Sequence, residues 1–181
     1  MDKWILKEVV LDQYTNYRTQ AYIERDNYEK IISNLHTPFI VILSGMRRVG
    51  KSTVFEMIRR QFWTYYWINF DDERLLDFCV DDFVKLYDVF LELYGAWWVF
   101  FFDEIQIIPG WERFVRRLHN EWKKVFITGS NANLLSKELG THLTGRYIQI
   151  ELYPFSFREY LRYNDLIIGP NDVFLKEKRA I

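Results

Sequence analysis

The run Gly45-Met46-Arg47-Arg48-Val49-Gly50-Lys51-Ser52 satisfies the spacing G-x-x-x-x-G-K-[ST] at every position. Each fixed residue has a task in holding a polyphosphate. Gly45 and Gly50 permit backbone angles that aim successive N–H groups at a β-phosphate, Lys51 reaches the β- and γ-phosphates, and the Ser52 hydroxyl can ligate Mg²⁺. Arg47, Arg48 and Val49 complete the cradle, and Ser52 and Thr53 open the helix whose positive end adds to the pull on an anion. Arg47 and Arg48 could instead pair with carboxylates of the chain itself. Further on, Val99-Phe100-Phe101-Phe102 runs straight into Asp103-Glu104. Asp103 would hold Mg²⁺ through water, and Glu104 would orient and polarise an attacking water. A second acid favours hydrolysis, because transfer to a substrate hydroxyl requires that water be kept out.

Other polar groups fall beside these in the chain pattern. Phe126-Ile127-Thr128-Gly129-Ser130-Asn131 ends an apolar run with small polar side chains that either touch a γ-phosphate or cap the next helix. Arg146, in Leu143-Thr144-Gly145-Arg146, either points along the ligand edge of the sheet toward a neighbouring molecule or pairs with a local carboxylate. Asp71, Asp72 and Glu73 read as a strand end. Arg113, Arg116 and Arg117 occupy one face of an amphipathic stretch, extended by Lys123 and Lys124, and suggest either contact with a DNA or protein target or a solvated face.

The elements that must position these groups follow from periodicity. Short apolar runs at 39–43, 65–70, 97–102 and 125–128, with an alternating run at 147–152, read as strands. Helix-length stretches separate them: Lys51 to Phe62, Val80 to Tyr94, Trp111 to Trp122 and Asn133 to Leu139. Strand alternating with helix predicts an α/β sheet with helices on both faces and ligands beyond the carboxyl ends of the strands. Residues 1–37 read as an N-terminal helical segment packing on the core, in which the apolar set Ile23, Ile31, Ile32 and Leu35 suggests one helix against the first strand. The core is expected over 38–163, and 164–181 as a tail or the start of a further region.

Composition narrows the setting. A net charge of −1 removes the field of a dedicated nucleic-acid or anionic-membrane binder, although a local patch is compatible with it. Cys79 is the only cysteine, which excludes an intrachain disulfide and fits a reducing cytoplasm. The longest apolar run near the middle, Ala96 to Phe102, is too short to span a bilayer, so no membrane partner is expected. Aromatic residues make up 19% of the chain, more than one small core is expected to absorb, which hints at an interface. Trp97 and Trp98 open a buried strand and read as core and interface packing, not as a base-stacking platform.

Taken together, Gly45 to Ser52, Asp103-Glu104-Ile105-Gln106 with Trp111-Glu112, Ile127-Thr128-Gly129-Ser130, Gly145-Arg146 and Pro154-Phe155-Ser156-Phe157-Arg158-Glu159-Tyr160 resemble the AAA+-type ATPases of archaea and bacteria. The resemblance implies a P-loop NTPase with a three-layer α/β/α sandwich and a five-stranded parallel sheet of order 5-1-4-3-2. It also implies ATP and Mg²⁺ as ligands, ATP hydrolysis to ADP and phosphate coupled to a conformational switch, Ser130 or Thr128 as a sensor and Arg146 as an arginine finger between copies. A nucleotide-gated DNA- or protein-binding module with negligible turnover is the alternative. Members of the family usually continue well past the Pro-Phe-Ser-Phe segment, whereas this sequence stops at Ile181, so Trp63, Trp67, Phe155, Phe157 and Tyr160 are expected to leave apolar surface exposed.

Overall fold

A computed structural model of the chain describes residues 1–15, 22–129 and 143–166. Five strands, β1 (Ile40–Ser44), β2 (Tyr66–Asn69), β3 (Val99–Asp103), β4 (Lys124–Gly129) and β5 (Tyr147–Glu151), form one sheet of order β2-β3-β4-β1-β5. Every pairing is parallel, with Ile42 opposite both Ile127 and Gln149, and Phe102 opposite both Ile68 and Ile127. The order is the expected one, and β1 lies between its two latest partners. Chain reversal between parallel strands needs a crossover, and α3 (Lys51–Arg59), α4 (Asp82–Tyr94) and α5 (Trp111–Asn120) supply three of them. The expected helix at Asn133 to Leu139 lies outside the described residues.

Strand side chains alternate, so the sheet has two apolar faces. Ile40, Ile42, Phe100, Phe102, Val125 and Ile127 face one side, where α4 and α5 pack with Leu86, Phe90, Trp111 and Leu118. Val41, Leu43, Val99, Phe101 and Phe126 face the other, covered by Val54, Phe55 and Ile58 of α3. Two cores absorb much of the aromatic content: Phe101 stacks on Phe126 at 4.7 Å on one side, and Tyr66 on Phe90 at 4.8 Å on the other. The result is the three-layer sandwich expected.

The N-terminal segment differs from expectation. Helix α1 (Lys3–Thr15) precedes a short α2 (Tyr28–Ile32), and it is α1 that buries Leu6, Val9 and Val10 in the core with α4. Ile31 and Leu35 do pack with Val41 and Leu43 of β1. After β5 the chain turns into α6 (Phe157–Tyr163), which opens on a capping box: the Ser156 hydroxyl accepts from the Glu159 N–H, and the Glu159 carboxylate accepts from the Ser156 N–H. Among the described residues no helix is long and apolar enough to cross a membrane.

Candidate functional site

β1 delivers Gly45 at its carboxyl end, and α3 begins at Lys51, so the residues between form a tight loop. Gly45 has φ +145°, and a Cβ there would lie 2.3 Å from the Leu152 carbonyl oxygen. Gly50 has φ +91° and its missing Cβ would sit 3.3 Å from an Arg25 guanidinium nitrogen. Gly45 is therefore demanded by backbone angle and by close approach, and Gly50 by its backbone angle. Arg48 also takes a left-handed angle, φ +64°.

Lys51 is buried, and its ammonium donates to the Gly45 carbonyl at 3.0 Å and the Met46 carbonyl at 2.9 Å. Burial pushes its pKa below the usual lysine value, against the nearby charges of Glu104 and Asp103. Glu104 Oε1 lies 4.0 Å from Lys51 Nζ. Asp103 ends β3 in a buried position, where the Thr128 hydroxyl donates to its Oδ1 and the Ser52 hydroxyl is near enough to favour its charged form. Burial pushes the Asp103 carboxyl above its ordinary value, and the two hydroxyls oppose that. The Glu104 N–H donates to Thr128 Oγ1 at 3.1 Å, so one threonine from β4 ties the two acids of β3. Gln106 donates its side-chain N–H to Glu104 Oε2 at 2.5 Å. Arg47, Arg48, Gly50, Lys51, Ser52, Thr53 and Glu104 line a cavity of about 590 Å³.

Most of the residues read from the sequence as a nucleotide site therefore meet around that cavity. The exceptions are informative. Thr128 is fully buried and spends its hydroxyl on the acid pair, while Ser130 lies outside the described residues. Arg47 faces Asp71 at 3.8 Å, and Asp72 is held near 2 by side-chain hydrogen bonds from Arg74 against its partial burial, with Gln13 adding a further bond. That acid therefore closes the strand end. Arg146 is a correction: its carbonyl accepts from the Ile40 N–H at 2.9 Å, which places it where β1 starts. It lies at the amino edge of the sheet, a strand length away from the ligand edge, because a residue leading into a parallel strand emerges opposite the residues that follow one. The α5 patch is also smaller than read, since Lys124 is buried and Arg117 lies over the Phe114 ring and 4.0 Å from Glu121. Arg113 and Arg116 are exposed and do not line the phosphate cavity.

One residue escaped the sequence. Arg25 is buried and donates to three partners: Glu159 Oε1 at 2.9 Å, the Val49 carbonyl at 2.7 Å and the Tyr153 carbonyl at 2.5 Å. Burial opposes charge on Glu159, yet N–H groups of Asp26 and Ser156, together with Arg25, hold its carboxyl below the usual value. The segment before α2, the phosphate loop and the start of α6 are thus fastened at one point. The Ser156-x-x-Glu159 spacing signals a helix start, but nothing in the sequence pairs Glu159 with Arg25.

The chain matches the AAA domain family over residues 37–161. It is 38% identical over 168 residues to an uncharacterized protein of Methanocaldococcus jannaschii, covering 91% of this chain and 37% of that one. An uncharacterized protein of Haemophilus influenzae is 37% identical over 154 residues, covering 79% of this chain and 38% of that protein. The chain thus spans less than two fifths of the length of these relatives. Among solved structures, domain III of the Thermotoga maritima replication initiation protein DnaA superposes with a TM-score of 0.50 at 15% identity, covering 83% of this chain and 75% of that one. AMPPCP-bound DnaA from Aquifex aeolicus gives a TM-score of 0.50 at 14% identity, covering 87% of this chain and 56% of the other. At such identities the likeness is one of fold, and it is the fold built above. A parallel sheet of this order, a glycine-framed phosphate loop on β1 and the family match together mean that the chain belongs to the AAA domain family and carries its P-loop ATPase core.

Proposed function

We propose that this chain binds ATP with Mg²⁺ and hydrolyses it to ADP and phosphate, and that the two nucleotide states drive a conformational switch of the AAA+ kind. The supporting observation is the convergence of the phosphate loop, Lys51, Ser52 and Glu104 on one cavity, with the buried Asp103 close by at the end of β3. The donor set suits the metal: a serine hydroxyl and a nearby carboxylate are the hard oxygen ligands that Mg²⁺ takes. Mg²⁺ held by Ser52 and Asp103 would neutralise charge on the β- and γ-phosphates. The remaining work falls to the chain. Loop N–H groups orient the phosphates, Lys51 exchanges two backbone carbonyls for phosphate oxygens, and Glu104, steadied through Gln106, positions the attacking water.

Because Arg146 lies across the sheet from its own phosphate loop, it would serve the nucleotide of a second copy. The exposed Arg113 and Arg116 offer contact to a DNA or protein target, and the lone Cys79 accords with a cytoplasmic setting. Measuring ATP binding and phosphate release on purified variants tests the reading. Lys51→Ala should abolish binding. Glu104→Gln should keep binding and lose turnover by about 10²–10⁴-fold; turnover equal to that of the parent would remove Glu104 from catalysis. Mixing Arg146→Ala with Glu104→Gln should restore activity if the site is shared between copies.

A further inference from the structure

The opposite end of the sheet carries a second, differently built surface. The turns leading into β2, β3 and β4 each expose a tryptophan: Trp63 is wholly exposed, Trp98 is 47% exposed and Trp122 is 84% exposed. Their neighbours show that this is not incomplete packing of the strands. Trp97, next to Trp98, stacks on Tyr66 at 5.4 Å and on Tyr94 at 5.1 Å and so belongs to the core, whereas Trp98 turns outward. Trp122 adopts φ +59°, a left-handed angle unusual for a bulky residue, at the turn that leaves its indole in solvent.

Two clefts hold these rings, and one ring joins the clefts. Trp98 and Trp122 line a cavity of about 240 Å³ with His36, His119 and Lys123. Trp63 lines another, of about 300 Å³, with Arg59, Arg60 and Phe62. Phe62 meets Trp98 edge-on at 6.2 Å, so the two form a continuous aromatic track. Positive charge prevails along it: among the described residues, the turns that lead into β2, β3 and β4 carry Arg60 and Lys123 against the single acid Glu121, which lies 4.0 Å from Arg117. The nearby Glu56 and Glu92 are each met by two cations, Arg59 with Arg60 and Lys3 with Lys7.

We propose that this amino edge binds a single strand of nucleic acid, with bases stacking on Trp63, Trp98 and Trp122 and phosphates meeting the cations between them. Exposed rings interleaved with positive charge are what an unpaired strand requires, since every base offers a π-face and every linkage an anion. A duplex keeps its bases stacked on one another and cannot use the indoles, which sets the track apart from the arginine face of α5. Nothing in the proposal depends on nucleotide hydrolysis, because the track and the phosphate loop stand at opposite ends of the strands.

Fluorescence anisotropy of a labelled oligothymidylate, at low and moderate salt, tests it on the whole chain. Binding is expected for the single strand and not for a matched duplex. Trp63→Ala and Trp122→Ala, both at exposed positions where folding is insensitive, should each weaken binding about tenfold while leaving ATP binding intact. Lys123→Ala should lower the dependence of log affinity on log salt by about 0.7. Lys51→Ala should bind the strand as the parent does, so failure of the ATPase reading and failure of this one are separable. Absence of binding, equal affinity for duplex, tryptophan variants that bind as the parent does, or a dimer that Trp122→Ala dissolves would each overturn the proposal, the last by making the track a contact between copies.

Discussion

The two ends of one sheet are built from the same strands and yet are held by different means. At the carboxyl end, the loop from Gly45 to Gly50 is clamped by Arg25, which reaches Val49, Tyr153 and Glu159, and beside it Thr128 ties Asp103 to Glu104. At the amino end one buried side chain organises the approach to β1: Lys124 donates to the carbonyls of Asn34 at 2.7 Å, Thr37 at 2.9 Å and Phe39 at 2.7 Å. Around it, rings and cations face solvent. The difference teaches that burial of charge goes with geometric exactness. The carboxyl end has polar groups fixed to one another at hydrogen-bond distance, as a reaction requires. The amino end leaves its large side chains outside, as adaptable stacking requires.

Substitutions can break or sharpen this contrast. The largest effect is expected from Gly45→Ala, because the new methyl would meet the Leu152 carbonyl at 2.3 Å with the backbone at φ +145°. The loop or β5 must shift, at a cost of about 4 kcal/mol or more, and ATP binding should vanish with it; calorimetry and nucleotide titration would show both. Next is Arg25→Ala, which strands the buried Glu159 carboxylate and should cost about 3–5 kcal/mol in denaturant unfolding, with weaker ATP binding because Val49 loses its anchor. If Arg25→Ala unfolded as the parent does, the clamp would carry no weight and the contrast between the ends would fail. The smallest is Lys124→Met, which leaves three carbonyls to find water at a turn and should cost about 1–3 kcal/mol while ATP affinity is unchanged. A loss of ATP affinity in Lys124→Met would show that the two ends are coupled.

Legibility in the sequence followed the strength of the local signal. Strands buried on both faces, such as Phe-Ile-Val-Ile-Leu and Val-Phe-Phe-Phe, stand out as unbroken apolar runs, and the phosphate loop is one contiguous motif. Helix α1 was missed because only Leu6, Val9 and Val10 are fully buried among charged neighbours, a stripe too thin to impose a visible period. The sequence does not separate Trp98 from Trp97, because both adjoin the same buried strand and suit core and interface alike. Only the turn into β3 decides that one indole enters the core and the other leaves it.

The sheet, its order through family resemblance, and the contiguous phosphate-loop motif are legible in the sequence by itself, since all of these are written in short segments read independently. The tertiary structure alone decided which polar groups are partners and which edge each residue occupies. Arg25 and Glu159 meet across most of the chain because the turn after β5 folds back under the phosphate loop. Arg146 falls at the edge away from that loop because parallel strands send every preceding residue to one end and every following residue to the other.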